Sequence, residues 1–489
     1  MNQASRIAFD NSYARLPEQF FSRLDPTPVQ RPGPIQVNRE LALQLGLDPD
    51  WLASPEGTEV IAGNRIPAGA EPIATVYAGH QFGSYNPQLG DGRAILLGEV
   101  IGDDGLRYDL QLKGSGRTPY SRGGDGRAPL GPVLREYLVS EAMAVLGVPT
   151  TRALAAVTTG ETVARDTFQP GAVLARVARS HIRIGTFQFF AARGDKESLA
   201  ALRDHVIERH YPEVADAPNP TLAMLQAVIA RQAELVARWQ SLGFIHGDMT
   251  TDNMLLSGET VDYGTCAFME AFDPATVFSS IDHGGRYAYR NQPGIAHWNL
   301  AALAQSLLPL LDEDQEWAVP LAQASIDEFQ GRFERAHQVA LARKLGLRDP
   351  QPADGELIED LFKLLQQHRA DFTLSFRHLT DLASPAGAAN AAVAEIFTPP
   401  PGLDAWVERW RERLAADPTE PGARHGDMRR ANPVFVPRNH QVQAVIEAAQ
   451  EREDFEPFRA LLARLRQPFE YAPADARYAL PAKPEEAVR

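Results

Sequence analysis

The most informative segment of this 489-residue chain reads Gly243-Phe244-Ile245-His246-Gly247-Asp248-Met249-Thr250-Thr251-Asp252-Asn253-Met254-Leu255-Leu256, and Val261-Asp262-Tyr263-Gly264 follows it. Asp248, Asn253 and Asp262 supply two carboxylates and an amide at close spacing. Carboxylate and amide oxygens are hard ligands, which suit Mg²⁺ or Mn²⁺ better than zinc. The segment therefore predicts a site for phosphate chemistry.

The spacing within this segment matches the catalytic loop of protein kinases, H-R-D-x-x-x-x-N, which is followed by D-F-G. His246, Asp248 and Asn253 occupy the loop positions, and Asp262-Tyr263-Gly264 takes the place of D-F-G. In kinases the asparagine and the second aspartate hold magnesium against the nucleotide phosphates. Spacing alone makes Asp248 the candidate base.

A second copy of the pattern reads His425-Gly426-Asp427-Met428, with Asn432 five residues after Asp427. No Asp-x-Gly follows this copy, and Pro433 leads into an ordinary apolar run. We therefore predict that the second copy is structural.

Length and composition limit the class of protein. A chain of 489 residues favours two lobes or more, and 44% hydrophobic with 23% charged residues is typical of globular proteins. The net charge of -15 argues against a nucleic-acid partner, although it leaves ATP open. The single Cys266 excludes an intrachain disulfide and a multi-cysteine zinc site. Since no signal peptide or membrane-length apolar run is visible, we expect a cytoplasmic protein without a membrane partner.

Glycine-dense loops precede and follow two predicted strands. Gly79 to Arg93 leads into the apolar run Ala94 to Val100, and such loops let backbone amides approach phosphates. The strand from Arg107 alternates, which predicts that Tyr108, Leu110 and Leu112 face a core while Asp109, Gln111 and Lys113 face away. Lys113 then opens onto the loop Gly114-Ser115-Gly116-Arg117.

A helix predicted from about Pro132 to Leu146 carries Glu136 one turn from its start. Lys113 and Glu136 are therefore candidates for the kinase pair in which a carboxylate holds a lysine against the phosphates. Further on, Arg176, Arg179 and Arg183 lie among apolar residues and predict an anion clamp, because guanidinium groups match phosphate geometry. His181, between them, is predicted to be structural.

The rest of the chain is predicted to be mainly helical. An apolar stripe formed by Leu222, Leu225, Ile229, Val236 and Trp239 indicates the helix that delivers the catalytic loop. Proline-marked helical regions follow through Leu465, and the tail from Tyr471 is rich in Pro and Ala, which predicts mobility.

With these motifs in hand, the chain resembles the selenoprotein O family of kinase-like protein adenylyltransferases. The resemblance is carried by Gly79 to Gly92, Leu110 to Gly126, Ala175 to Gly185, the His246 to Asn253 loop with Asp262-Tyr263-Gly264, and Asn432-Pro433. It implies an α+β, bilobal protein-kinase-like fold with an N-terminal extension and a large helical C-terminal lobe. We expect the extension at 1–75, packed on the first lobe, an N-lobe at 76–193 and a helical C-lobe at 194–489.

The resemblance also implies roles for particular residues. Lys113, Glu136, Arg176 and Arg183 would hold the phosphates, while Gly90, Gly92, Arg93, Asp125 and Gly126 would line the nucleotide site. Asn253 and Asp262 would bind Mg²⁺ or Mn²⁺. The proton acceptor falls on Asp252, with Asp248 as the alternative. Some members carry a redox-active Cys or selenocysteine near the C-terminus, and this tail has neither, so regulation by that route is not expected.

The implied activity is transfer of AMP from ATP to Ser, Thr or Tyr hydroxyls of protein substrates, with release of pyrophosphate. ATP would bind inverted relative to ordinary kinases, so that the α-phosphorus is the electrophile. Two alternatives stay open from the sequence: a kinase that transfers the γ-phosphate, and a pseudokinase scaffold that binds nucleotide without turnover. Retention of Lys113, Asn253 and Asp262 argues against the scaffold, which would need none of them.

Overall fold

The computed structural model describes residues 6–385 and 393–487. Parts of the predicted extension and C-lobe, namely 1–5, 386–392 and 488–489, lie outside the described residues. The strands are β1 Phe21–Arg23, β2 Gly33–Val37, β3 Ile73–Thr75, β4 Gly79–Gln81, β5 Ser84–Asn86, β6 Ala94–Ile101, β7 Arg107–Lys113, β8 Ala128–Pro129, β9 Arg152–Ala164, β10 Phe168–Ala178, β11 Phe244–Ile245 and β12 Ala267–Phe268.

The helices fall mostly in the second half of the chain. They are α1 Arg39–Gln44, α2 Pro49–Ala53, α3 Pro55–Ala62, α4 Leu130–Val145, α5 Ile184–Ala191, α6 Lys196–His210, α7 Pro220–Leu242, α8 Gln292–Leu311, α9 Gln315–Lys344, α10 Asp354–Gln367, α11 Phe372–Leu382, α12 Leu403–Ala416, α13 Pro421–Ala431, α14 Asn439–Arg452, α15 Glu456–Leu465 and α16 Ala476–Ala479. A sheet-rich part followed by a helical part is the α+β, kinase-like arrangement that the sequence predicts.

The main sheet is antiparallel and has eight strands. Its order is β1-β3-β6-β7-β10-β9-β2, and β8 pairs with β10 off this path. The hairpin β6–β7 turns at Gly102 to Gly105, as the sequence predicts, and its register places Ala94 opposite Lys113. The glycine-dense loop before β6 and the lysine at the end of β7 therefore meet at one end of the sheet.

The first 75 residues supply three strands of this sheet. β1 and β3 form one edge, and β2 pairs with β9 at the other. Side chains of α1 to α3, such as Leu41 and Ile61, share a buried cluster with Leu110 and Leu112 of β7. The predicted extension thus completes the sheet, and the division of the chain at residues 75 and 193 stays a prediction.

The polar face of β7 is not open to solvent, which corrects the expectation that it simply faces away. Asp109 and Gln111 are buried. Arg209, from α6, places Nη2 2.6 Å from Asp109 Oδ1, and Arg176 donates to Gln111 Oε1. His181 donates a backbone N–H to Asp109 and holds its Nδ1 2.9 Å from the same oxygen, Oδ2. Alternation predicted the two faces correctly but not the buried ionic network that covers one of them.

Helix α7 is the element that delivers the catalytic loop. The Asn219 side chain caps its first turn by accepting from Leu222 N, and Pro220 starts the helix. The predicted apolar stripe of α7 packs into a buried cluster with residues of α8 and α9, and Leu222 at its start is only partly buried. Gly243 ends the helix at φ 71°, where a Cβ would lie 2.9 Å from Phe372 Cδ1. Only glycine fits this turn, which sends the chain straight into β11 and the loop.

The C-terminal tail from Tyr471 makes contacts with the helical part of the molecule, and its mobility stays a prediction. α16 packs with Ala479 buried, and Asp475 forms an ion pair with Arg464 at 2.6 Å. Ala482 N also donates to the carboxylate of Glu270. None of the helices in the described ranges is long and apolar enough to cross a membrane.

Candidate active site

A cavity of about 380 Å³ lies between the sheet and the catalytic loop. It brings together every candidate site residue except Glu136 and Asp248. The lining comprises Gly90, Asp91, Gly92, Arg93, Lys113, Asp125, Gly126, Arg176, Arg183, Asp252, Asn253 and Asp262, together with residues that sequence reasoning did not single out, chiefly Tyr77, Tyr120, Arg122, Arg127 and Arg165. The size suits a small ligand.

The glycines of the cavity are required by close packing. Gly90 has φ 137°, and a Cβ there would lie 2.6 Å from Tyr120 Cγ. Gly126 has φ 71°, and its Cβ would lie 2.0 Å from Gly116 O. Any side chain at these two positions would push the loops apart, so glycine keeps the cavity wall in place.

Lys113 and Glu136 form the predicted pair. Lys113 Nζ lies 2.6 Å from Glu136 Oε2 and 3.3 Å from Asp262 Oδ1. Arg176 Nη1 donates to the other oxygen of Glu136 at 2.8 Å. Burial alone would raise the pKa of Glu136, but the charges of Lys113 and Arg176 outweigh it and lower the pKa. Glu136 therefore stays ionised and aligns two cations beside the cavity.

Asp262, the aspartate of the D-F-G position, is strongly held in its charged form. The nearby Lys113 charge lowers its pKa far below the ordinary value, against burial and with help from Arg93 and Arg176. Its backbone has φ 68°, a left-handed conformation that is uncommon outside glycine. A charged carboxylate in such a conformation at a cavity wall is typical of a functional position.

Positive charge exceeds negative charge in this cavity. Six arginines and Lys113 line it against four aspartates. Arg165 forms a two-fold ion pair with Asp125, at 2.9 Å for both contacts. Among the described residues, Arg93, Arg122 and Arg183 have no acidic partner within ion-pair distance. Unpaired guanidinium groups at a cavity wall favour a ligand that carries several negative charges.

The catalytic loop is held by buried contacts of His246. Its Nε2 lies 2.8 Å from Val261 O, and its backbone N–H donates to Gln292 Oε1 at 2.9 Å. The imidazole stacks on Trp239 of α7 with ring centroids 5.5 Å apart. Burial lowers the pKa of His246, so the neutral ring acts as a structural brace between the loop and the Asp262 segment.

Asp252 and Asp248 have different surroundings. Asp252 lines the cavity, its Oδ2 accepts from Gln81 Nε2 at 3.2 Å, and its buried Oδ1 makes no hydrogen bond within the described ranges. Burial raises its pKa. Asp248 lies outside the lining and is held by Asn253 Nδ2, which donates to its Oδ2 at 3.2 Å. Burial, with the charges of Asp262 and Asp252, raises the pKa of Asp248 to about 7.

Asn253 and Asp262 present oxygen atoms that suit a divalent cation. Asn253 Nδ2 is engaged by Asp248, which leaves its amide oxygen as the ligand atom beside the Asp262 carboxylate. No cluster of three or more His, Cys, Asp or Glu side chains that could hold a metal is found among the described residues. Mg²⁺ is commonly bound through one or two protein ligands together with substrate phosphates. Asn253 and Asp262 fit that mode.

The second copy of the pattern is structural, as predicted, although it lies on a helix. His425 to Ala431 belong to α13. Asp427 pairs with Arg348 at 2.9 Å and with Arg430 at 2.6 Å. Asn432 is buried and donates to Lys344 O and Thr380 Oγ1. None of these residues lines the cavity.

Fold and site together define the class: a kinase-like protein whose predicted catalytic loop faces a cationic cavity. The family model described as "Protein adenylyltransferase SelO" matches residues 3–466. The chain therefore belongs to this family of protein adenylyltransferases, and it is a nucleotidyltransferase.

Curated relatives support the same family over the whole chain. A protein described as "Protein nucleotidyltransferase YdiU" from Rhodopseudomonas palustris (strain BisB18) is 59% identical over 485 residues, covering 99% of this chain and 98% of the relative. A protein with the same description from Methylorubrum populi is 60% identical over 476 residues, covering 96% of each. Among solved structures, ROP2 from Toxoplasma gondii, described as a virulence factor with a protein-kinase fold and no enzymatic activity, matches with 12% identity and a TM-score of 0.25, covering 70% of this chain and 86% of that one. At that score the likeness carries no argument.

Proposed function

We propose that this enzyme transfers AMP from ATP to a Ser, Thr or Tyr hydroxyl of a cytoplasmic protein, releasing pyrophosphate. In this proposal ATP lies inverted relative to ordinary kinases, with its β- and γ-phosphates among the arginines and its α-phosphate near the catalytic loop. The observation that carries the proposal is the distribution of charge in the cavity. Arginines extend from Arg183 beside the loop to Arg127 and Arg165 at the sheet side.

This distribution favours a leaving pyrophosphate at the sheet side. Small-molecule and cofactor sites are mostly lined by apolar and aromatic side chains with a few polar groups. Here the wall holds Arg122, which has no acidic partner in the described ranges, beside Arg127 and Arg165, which pair with Glu161 and Asp125. Guanidinium groups match phosphate oxygens in pairs. Binding an adenine ring against this wall would bury charged groups without pairing them, which is unfavourable, whereas two phosphates would pair with them.

The acceptor hydroxyl is proposed to attack the α-phosphorus in line. A new bond forms between the hydroxyl oxygen and phosphorus, the bond from phosphorus to the α–β bridging oxygen breaks, and its electrons leave with pyrophosphate. The hydroxyl proton passes to Asp252, which lines the cavity and whose Oδ2 accepts from Gln81 Nε2 at 3.2 Å. Asp248 is the weaker candidate because Asn253 already occupies its carboxylate.

The remaining residues act by position and charge. Glu136 holds Lys113 and Arg176 at the cavity, and these cations with Arg183 would offset the charge that grows on the departing phosphates. Asn253 and Asp262 would hold Mg²⁺ or Mn²⁺, which, when bound, supplies Lewis-acid stabilisation of phosphate oxygens. Gly90, Gly92, Arg93, Asp125 and Gly126 would shape the nucleotide pocket.

Product analysis tests this proposal. The protein is incubated with ATP, Mg²⁺ and a mixture of cellular proteins, and released pyrophosphate is measured against released ADP. The expected result is one pyrophosphate for each AMP attached to protein, with both lost in Asp252→Asn. Formation of ADP with phosphorylated protein would instead establish the kinase reaction and refute the inverted orientation.

A further inference from the structure

A second and larger cavity lies on the helical part of the molecule. It is a groove of about 780 Å³. Four segments form it: the link after α4, the C-terminal half of α7, the C-terminal half of α9, and the end of α13 with Phe469. It shares no lining residue with the active-site cavity. We call it the α7–α9 groove.

The α7–α9 groove is strongly cationic. Its charged lining consists of Arg238, Arg332, Arg335, Arg343, Lys344 and Arg430 against the single carboxylate of Glu234. The chain as a whole carries a net charge of -15, so this concentration of positive charge runs against its average composition. A local field of one sign in a concave surface raises the concentration of ligands of the opposite sign.

Several of these cations are not neutralised within the protein. Arg332 pairs with Glu328 and Arg430 pairs with Asp427. In the described part of the chain, neither Arg335 nor Arg343 has an acidic side chain within ion-pair distance. Both arginines are exposed at the groove rim, where they are free to meet a ligand.

Lys344 also lies at the wall, and burial lowers its pKa to about 7, so near neutral pH it contributes only part of a positive charge. It is only 3% exposed, and its Nζ lies 4.4 Å from the ring centre of Phe376 and 5.6 Å from that of Phe372. No described carboxylate lies within ion-pair distance of it. A buried lysine without an acidic partner loses its proton more readily, so Arg335 and Arg343 are the main candidates to meet a negative head group.

The rest of the groove is apolar. Val145 and Val339 are 38% and 52% exposed, and both line it. Ala336, Ala340 and Phe469 continue this surface between the arginines. From Arg332 to Arg343, α9 rises about 16 Å, at about 1.5 Å per residue. An elongated apolar floor with a cationic rim is complementary to a molecule that has both an apolar body and a negative head.

We propose that the α7–α9 groove binds a small amphipathic anion, a carboxylate or phosphate carried on an aliphatic or aromatic body. The head would lie at Arg335, Arg343 or both, and the body would cover Val145 and Val339. The proposal stands independently of the reaction at the active site, because the two cavities have no lining residue in common. Both a fatty carboxylate and an alkyl phosphate have this chemistry.

The test uses the full chain and the fluorescent probe 1-anilinonaphthalene-8-sulfonate, with excess ATP present to fill the active site. Dodecanoate, dodecyl phosphate and dodecanol are then compared as competitors below their micelle concentrations. We expect at least one of the two anions to displace the probe at a concentration about tenfold lower than dodecanol requires. The anion that displaces it at the lower concentration identifies the preferred head group. Equal displacement by the neutral alcohol would refute recognition of an anion.

Variants locate the site. Arg335→Gln/Arg343→Gln should weaken binding of the anionic competitor about tenfold, since two exposed charge contacts are lost. Ala340→Trp, which fills the groove without changing charge, should weaken it as well. The matched control is Arg409→Gln/Arg411→Gln, which removes two exposed helical arginines of α12 outside the groove. Equal affinity in the groove variants and the control would overturn the proposal.

Discussion

Two segments of this chain carry His-Gly-Asp with an asparagine five residues after the aspartate. In the first, His246 to Asn253, the chain leaves α7 through Gly243 and forms a buried loop at the cationic cavity. In the second, His425 to Asn432, the same letters lie on and after α13, where Asp427 forms ion pairs and Asn432 satisfies buried groups. We call these the loop copy and the helix copy.

The difference between the copies lies in their backbone. Gly247 of the loop copy has φ 84°, and a Cβ there would lie 2.3 Å from Thr265 O. Gly426 of the helix copy is helical, and a Cβ there would meet only the far end of Arg430 at 3.6 Å. The polar side chains of the motif can act on a ligand only where the backbone turns them into a cavity.

The largest expected effect is a difference in activity between Asp262, which follows the loop copy and is proposed to hold the metal, and Asp427 of the helix copy. Asp262→Asn should lower AMP transfer about 10⁴-fold, because it removes the charge that is proposed to hold the metal. Asp427→Asn is the matched control and should leave turnover within about twofold, since surface ion pairs contribute little. Initial rates at saturating ATP and Mg²⁺ measure both. Equal losses of turnover in the two variants would contradict the assignment of the site to the loop copy and Asp262.

The next largest effect distinguishes the two aspartates of the loop copy as candidates for the proton acceptor. Asp252→Asn should lower the rate about 10³-fold, because the acceptor of the hydroxyl proton is lost. Asp248→Asn should lower it less than about tenfold, since the amide can still contact Asn253. Comparison of kcat for the two variants on one protein acceptor is the measurement. The reverse order would assign the base to Asp248, as in ordinary kinases.

The asparagines should give opposite phenotypes. Asn253→Ala should lower turnover about 10²-fold, because its oxygen is proposed to hold the metal, and should lower the free energy of unfolding by only about 1 kcal/mol through the lost hydrogen bonds to Asp248. Asn432→Ala should lower the free energy of unfolding by about 2–3 kcal/mol, because two buried partners lose their hydrogen bonds. Denaturant titration and initial rates are measured for both variants. A stability loss in Asn253→Ala alone would contradict the comparison.

The smallest expected effect concerns the glycines. Gly426→Ala should stabilise the protein by about 0.5–1 kcal/mol, because alanine favours the helix. Gly247→Ala should destabilise it by about 1–3 kcal/mol, because alanine is strained at positive φ and would meet Thr265 O. Thermal unfolding of the two variants gives the sign directly. Stabilisation by both would mean that the loop backbone is not constrained.

Sequence reasoning succeeded where local pattern decides structure. The alternation of β7 and the helix start before Glu136 predicted the ion pair of Lys113 and Glu136, whose Nζ and Oε2 lie 2.6 Å apart. The apolar stripe of α7 predicted the helix that leads into the loop copy. The absence of an Asp-x-Gly sequence after the helix copy distinguished it from the loop copy. These features depend on residues close together in the chain, so periodicity and spacing reveal them.

Sequence reasoning failed where contacts join distant segments. Arg122, Arg127 and Arg165 lie on irregular turns without periodicity, and only the folded sheet brings them to the cavity. Gln81 meets Asp252 across a separation of 171 residues. The burial of Asp109 depends on Arg209 from α6, which no local pattern connects to β7. The roles of the site residues came from the resemblance and stay predictions.

The central claim is that the enzyme transfers AMP from ATP to protein at the site that contains the loop copy. Its most direct test is incubation of the protein, Mg²⁺ and cellular proteins with ATP labelled at the α- or at the γ-phosphorus, followed by denaturing separation and intact-mass analysis. The account predicts label on protein from the α position only, as an AMP adduct that is absent with Asp262→Asn. Label from the γ position only would contradict it and make the enzyme a kinase.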